Sequence, residues 1–294
     1  MCGRTIFRLS GKRVARVAGV NDSSSVPSGM DSAHSYNLSP TNFLVCVTEE
    51  GSTRSRKIEL MRWGIEPRFE VTHTLTTINA RIEGVQTSKM YSPLIDGKRC
   101  VVIVDAFYEW TQTTKVHTPH LIRYLDSVPE VPIFPPLKTE ILKSEPNDVP
   151  DEEGAESVVP KDVSPLLIAG IFDTSKSGER RCSILTTDAV GPAAKVHTRM
   201  PVLLSPESAQ LWLSDVSFGE ISGPVIRACK AQAGQLFCSE VSSLVNSVAN
   251  KGREVTLPVA EMKKRSFEKG LGRYFTVSRE SKKNRLNNAS AVEP

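Results

Sequence analysis

The sequence predicts an α+β fold dominated by sheet, on three observations. Short apolar runs rich in β-branched residues recur along the chain, each of strand length. Helix signals are confined to a few stretches. The same kind of apolar run lies on both sides of a long acidic, proline-rich segment, so one fold resumes beyond it. In chain order the expected strands are "FLVCVT" (43–48), "RCVVIVDAFYEW" (99–110), "PHLIRY" (119–124), "LLIAGIF" (166–172), "CSILTT" (182–187) and "MPVLL" (200–204). "SPESAQLWLSD" (205–215) is expected to be a helix, because Ser205 can cap it, Pro206 suits the first turn and Glu207 follows. "ISGPVIRACKAQ" (221–232) predicts a second, short helix.

With 294 residues, 39% hydrophobic and 24% charged, the composition is that of an ordinary globular chain. No run is apolar enough for a membrane span or a signal peptide, so an intracellular location is expected: nuclear in a eukaryote, cytoplasmic otherwise. The six cysteines agree with that, and Cys46, Cys100 and Cys182 sit inside strand-like runs. No Cys or His spacing suggests a metal site.

The net charge of +4 hides a division. Residues 126–165 carry ten acidic residues against three lysines, −7, together with eight of the nineteen prolines. This segment is expected to be a disordered insertion. Residues 259–294 carry nine basic residues against four glutamates, +5. The reading is therefore one domain over 1–258 and a basic, disordered tail over 259–294. A basic core and tail suit a polyanionic partner.

Five stretches are candidates for chemistry. In "MCGR", Cys2 is either a small apolar residue opening a strand or, once Met1 is removed, an α-amine and a thiol on one residue. Ordinary pKa values of roughly 8 and 8.5 make both near-ready nucleophiles. "RWGIEPRF" (62–69) interleaves Arg62 and Arg68 with Trp63, Pro67 and Phe69, which reads as packed core or as an aromatic wedge beside a phosphate rim. In "INARIEG" (78–84), Asn79 is a turn cap or a holder of a carbonyl or sugar oxygen. In "DAFYEW" (105–110), Glu109 between two aromatics is either strand alternation facing water or a desolvated acid–base group. His197 in "VHTRMPVLL" is structural or a proton carrier, two residues from Arg199.

Taken in order, "MCGR", "YNLSPT", "MRWGIEP", "NAR", "RCVVIVDAFYEW", "AGIFD", "LTTDA", "HTRMPVLL" and "VSSLVNSVAN" resemble one family, the SOS response-associated peptidase (SRAP) family. The resemblance covers roughly residues 1–258 apart from the insertion. It implies a mostly antiparallel, barrel-like core with peripheral helices. It also implies covalent capture of abasic sites in single-stranded DNA, with peptidase-like removal of Met1 and a lyase side reaction. Carried over position by position, Cys2 is the crosslinking nucleophile, and Asn79, Glu109 and His197 complete the catalytic set. Arg4, Arg81 and Arg199 hold phosphates, while Pro40, Trp63, Pro67 and Phe69 stack on or wedge bases. No metal and no diffusible cofactor is implied, and a monomer is expected.

The chemistry gives Cys2 a reason. Its amine can form a Schiff base with the open-chain aldehyde of an abasic sugar, and its thiol can close a five-membered thiazolidine. Two other readings stand beside this one. An N-terminal-nucleophile thiol amidohydrolase also begins Met-Cys-Gly, and a noncovalent reader of single-stranded or modified DNA would share the basic surface. In the tail, "EKGLGRYF" (268–275) places Leu271, Tyr274 and Phe275 at the spacing of motifs that dock on a sliding clamp.

Overall fold

The computed structural model describes residues 2–20, 25–50, 55–67, 76–111, 117–128 and 164–262. Arg68, Phe69, residues 129–163 of the acidic insertion, and Leu271, Tyr274 and Phe275 of the tail motif lie outside those residues. Two units are distinguished, Met1–Thr256 and Leu257–Pro294; of the second, only a single helical turn is described.

The first unit is built from two sheets. In the larger, β3 (Phe43–Glu50), β4 (Ser55–Trp63), β10 (Arg180–Asp188), β9 (Leu166–Thr174) and β6 (Arg99–Val104) pair in a ring, β6 closing back on β3. All of these pairings are antiparallel except the short β4–β10 contact. Beyond the ring, β10 also carries β5 (Asn79–Arg81) in parallel and β11 (Arg199–Pro201) antiparallel. The smaller sheet runs β12 (Leu236–Glu240), β8 (Pro119–Tyr124), β7 (Ala106–Trp110), β1 (Thr5–Phe7), β2 (Ser35–Leu38), all antiparallel. The expected sheet-dominated, barrel-like α+β fold is the one observed. Among the described residues no helix is long and apolar enough to cross a membrane.

Runs such as Cys100–Val104 and Leu166–Ile171 are apolar without alternation because ring strands are covered on both faces. The expected strand over 99–110 is in fact two. Asp105 breaks it: its carboxylate accepts the backbone N–H of Arg8 at 2.6 Å and its own N–H reaches Ile6 O. The chain thus leaves the ring as β6 and enters the smaller sheet as β7, carrying Glu109 with it. The "MPVLL" run is likewise shorter than expected, with pairing over Arg199–Pro201 and a lone bridge at Leu203.

Among the described residues of the first unit, three α-helices pack outside the sheets. α1 (Gly11–Ala18) has the signals of both ends, Ser10 accepting Arg13 N–H and Gly19 at φ 65° closing onto Ala15 O and Arg16 O. α2 (Pro206–Leu213) begins as expected with a Ser205 cap, in a reciprocal box with Ser208. From it Trp212 reaches the ring and donates to Cys100 O and Gly170 O. α3 (Phe218–Ala233) is longer than its expected core and holds Pro224 internally.

Candidate active site at the amino terminus

Cys2 precedes β1, and β1 lies antiparallel to β7, with Tyr108 N–H donating to Arg4 O. Pleating then sets the faces. Ala106 and Tyr108 belong to a small core with Ile6, Tyr36 and Val245, whereas Phe107 faces the main core that also encloses Cys2. Glu109, two residues from Phe107, shares that inward face and is 2% exposed. Alternation therefore buries Glu109 beside Cys2.

Asn79 arrives from the other sheet. β5 pairs with β10 through Asn79–Ile184, Ala80–Leu185 and Arg81–Thr186, with Ala80 buried and Asn79 and Arg81 on the opposite face. The Asn79 amide donates to Cys2 O at 2.8 Å, and its Oδ1 is buried with no hydrogen-bond partner among the described residues. The Tyr91 hydroxyl supports this strand from behind, donating to Asn79 O at 3.2 Å.

His197 closes the group from a 3₁₀ turn over Gly191–Lys195. His197 Nδ1 lies 2.9 Å from the Arg199 backbone N–H and 3.2 Å from Arg199 O, so the Arg199 backbone fixes the orientation of the ring.

Electrostatics tie these groups together. Burial pushes the Cys2 thiol far above its usual range, and the Glu109 carboxylate adds to that. Burial raises Glu109 to about 7, opposed by the positive charge of the chain's amino terminus. Burial and then that same charge lower His197, keeping it neutral at pH 7. The structure thus brings together Cys2, Asn79, Glu109 and His197.

The other expected residues fall into distinct settings. Arg81 is exposed and has no ion pair among the described residues. Arg199 is enclosed by acids, meeting Glu83 at 2.9 and 3.0 Å, Asp188 at 2.7 Å and Thr186 O at 2.7 Å. Arg4 lies over the Trp110 ring, 5.9 Å from its centroid. Pro40 is half-buried in the turn Ser39–Asn42, where Thr41 takes a left-handed φ of 71°. A β-branched residue there is strained by about 1–3 kcal/mol. Arg62 and Trp63 hold it, through bonds to Thr41 O and from Thr41 N–H.

Trp63 departs from the base-facing role expected of it. Its side chain is wholly enclosed and donates to Ile78 O at 3.0 Å, so it packs the end of β4 and anchors the strand leading to Asn79. Pro67, also buried, borders a cleft of about 280 Å³ with Ile65, Glu66 and Arg181. Among the described residues there is no cluster of three or more His, Cys, Asp or Glu side chains suited to a metal.

Comparison with known sequences gives this geometry a family. The profile of the family described as SOS response associated peptidase (SRAP) matches residues 1–248. The chain belongs to the SRAP family. Among its relatives, the abasic site processing protein HMCES of Gallus gallus is 30% identical over 285 residues, covering 88% of this chain and 78% of that one. HMCES of Mus musculus is 29% identical over 283 residues, at 88% and 76% coverage. The abasic site processing protein YoqW of Bacillus subtilis is 25% identical over 264 residues, at 87% and 98%. A Bacteroides thetaiotaomicron protein of solved structure shares the fold, with a TM-score of 0.58 at 17% identity, over 88% of this chain and all of that one.

Sequence reasoning about this SRAP chain missed three residues around the site: Asn37, Glu83 and Tyr91. Asn37 stands in "YNLSPT" and Glu83 in "INARIEG", but what they hold lies far along the chain, and Tyr91 stands in neither stretch.

Proposed function

We propose that this SRAP chain processes abasic sites in single-stranded DNA by covalent capture on Cys2 after Met1 is removed. The observation that carries the reading is the convergence of Asn79, Glu109 and His197 on a cysteine at position 2. The names of its relatives supply the substrate class.

The reaction follows from the groups present. Burial keeps the thiol protonated at neutral pH, so the amine is the first nucleophile. His197 assists opening of the sugar hemiacetal to the aldehyde by proton transfer at the ring oxygen. The neutral amine adds to the aldehyde carbon to give a carbinolamine, and loss of water gives the imine. Glu109, near 7, takes the proton from the attacking amine and returns it to the departing hydroxyl. The thiol then adds across the imine, sulfur to carbon and proton to nitrogen, closing the thiazolidine. One water leaves in all. Asn79 holds the Cys2 carbonyl and so fixes the nucleophile.

Intact mass, measured before and after incubation with a single-stranded oligonucleotide bearing one abasic site, tests the proposal. The expected result is loss of Met1 and a heat-stable adduct of protein plus DNA minus one water, absent in Cys2→Ala. Retained Met1, or a free Cys2 without adduct, defeats the reading. In the second case, noncovalent binding would point to a DNA reader and ammonia release from glutamine to an amidohydrolase.

A further inference from the structure

Asn37, on β2, is 1% exposed and makes more side-chain hydrogen bonds than a strand residue needs. Its amide nitrogen lies 3.1 Å from Val245 O, 3.0 Å from Ser247 O and 2.9 Å from Asn250 O. Its carbonyl oxygen accepts from Arg4 Nη1 at 2.8 Å. The chemistry demands an amide. Three carbonyls face the nitrogen and a guanidinium faces the oxygen, so neither a carboxylate nor a hydroxyl of the same reach satisfies both sides.

The Ser243–Asn250 segment held in this way is knitted further. Asn250 Nδ2 donates to Leu244 O at 2.8 Å, and Trp110 Nε1 donates to Asn246 Oδ1 at 2.7 Å. Val245 is fully buried in the smaller core. The segment returns two carbonyls to Arg4, Val245 O to Nη1 at 2.7 Å and Asn246 O to Nη2 at 3.2 Å. Both Nη1 hydrogens are thereby used, while Nη2 keeps one N–H on the solvent-exposed side of the guanidinium. Arg4 is thus held in one orientation over Trp110, two residues along the chain from Cys2, with a charged edge still presented to solvent.

We propose that Asn37 is a positioning residue: by clamping the Ser243–Asn250 segment and Arg4 together, it aims the Arg4 guanidinium at a DNA phosphate beside the Cys2 site. The proposal rests on the single-stranded DNA reading above. Asn37 itself touches no substrate.

The test is noncovalent affinity for an undamaged single-stranded oligonucleotide, measured from low to physiological salt. Wild type, Arg4→Ala, Asn37→Ala, Asn37→Asp and the Arg4→Ala/Asn37→Ala double variant are compared, each checked for folding by thermal melt. Releasing one phosphate contact shortens the slope of log K against log salt by about 0.7. Asn37→Ala and Asn37→Asp are expected to match Arg4→Ala in that change and in an affinity loss of about tenfold, the lower end of the scale of one charge-assisted hydrogen bond. The double variant is expected to lose no more than either single one.

A folded Asn37 variant with the wild-type slope, or losses that add in the double variant, overturns the proposal. So does failure of both Asn37 variants to fold, which would make the residue a structural requirement. Because the strand is undamaged, a wild type that binds it but forms no adduct with abasic DNA defeats the capture reading alone.

Discussion

A carboxyl group buried beside an amine and a thiol decides where a proton sits, and Glu109 is placed to do so. Its folded pKa of about 7 lies above the ordinary 4.5. The folded state therefore binds this proton more tightly than the unfolded state does. The sign follows: stability is greatest below about 4.5, falls as pH rises from there to about 7, and stays lower above. Glu109→Gln removes that dependence. At pH 8 the variant is expected to exceed wild type by roughly 3 kcal/mol, and at pH 4 to match it. Urea denaturation at the two pH values checks this, and equal differences at both would refute it. The adduct-forming rate should move the other way, falling about 10²-fold in Glu109→Gln and His197→Ala. The sequence left Glu109 between a water-facing strand residue and a desolvated acid. Two long-range facts settle the choice, namely the pairing of β7 with β1 and the inward face that Glu109 shares with Phe107. Cys2, Asn79 and His197 were legible because each stands in a short distinctive motif. Asn37 also stands in a quoted stretch, "YNLSPT", but its role was not legible, because its meaning lies in carbonyls about 210 residues away.

The strands of the ring were legible for a physical reason: enclosed on both faces, they are continuously apolar. β4 was not. Its charges at Arg56, Lys57, Glu59 and Arg62 mask the buried Ile58, Met61 and Trp63, and they find partners across the sheet, as Arg56 does with Glu49 and Arg180 with Glu59. α1 was passed over as well, although Ser10 and Gly19 mark its two ends. Within the ring one position is closely constrained. Gly170 pairs with Cys100 on β6 and with Ile184 on β10, and a Cβ there would stand 2.8 Å from Cys100 Sγ and 3.1 Å from Val102 Cγ2. Cys100 cannot yield freely because it is wholly buried among Cys46 and Cys182, whose sulfurs lie 3.8 Å apart. Gly170→Ala is expected to destabilise by about 1–3 kcal/mol, the cost of overpacking. A chemical-denaturation midpoint equal to wild type would show that the ring yields there more easily than its packing implies. Gly178→Ala makes a useful contrast: its added Cβ meets nothing within 4 Å, so any loss there comes from its φ of 84° alone.

Across the whole molecule, charge is divided between a basic domain and an acidic insertion, and the structure shows how separable the two are. On either side of residues 129–163, Ser164 N–H donates to Val128 O at 3.0 Å. The chain leaves the domain at Val128 and re-enters within one hydrogen bond of that point, so a few glycine and serine residues can bridge the gap. Loop closure contributes little: shortening 35 residues to about 5 changes its entropy by roughly 2 kcal/mol, in favour of the shorter loop. The strands on either side, β8 and β9, keep their partners β7, β12, β6 and β10 without the insertion. Residues 129–163 carry nine acidic side chains and three lysines, so their removal takes the net charge from +4 to +10. For a polyanionic ligand that change strengthens long-range attraction, and screening removes the gain once the Debye length falls to a few ångströms. The variant with this segment replaced by a short Gly-Ser bridge is therefore expected to melt at or slightly above the wild-type temperature. It should bind single-stranded DNA more tightly in 50 mM salt and about equally near 1 M. An unchanged affinity at low salt would mean that the acidic segment stays beyond electrostatic reach of the DNA. A collapse of the melting temperature would mean that it contributes to the core.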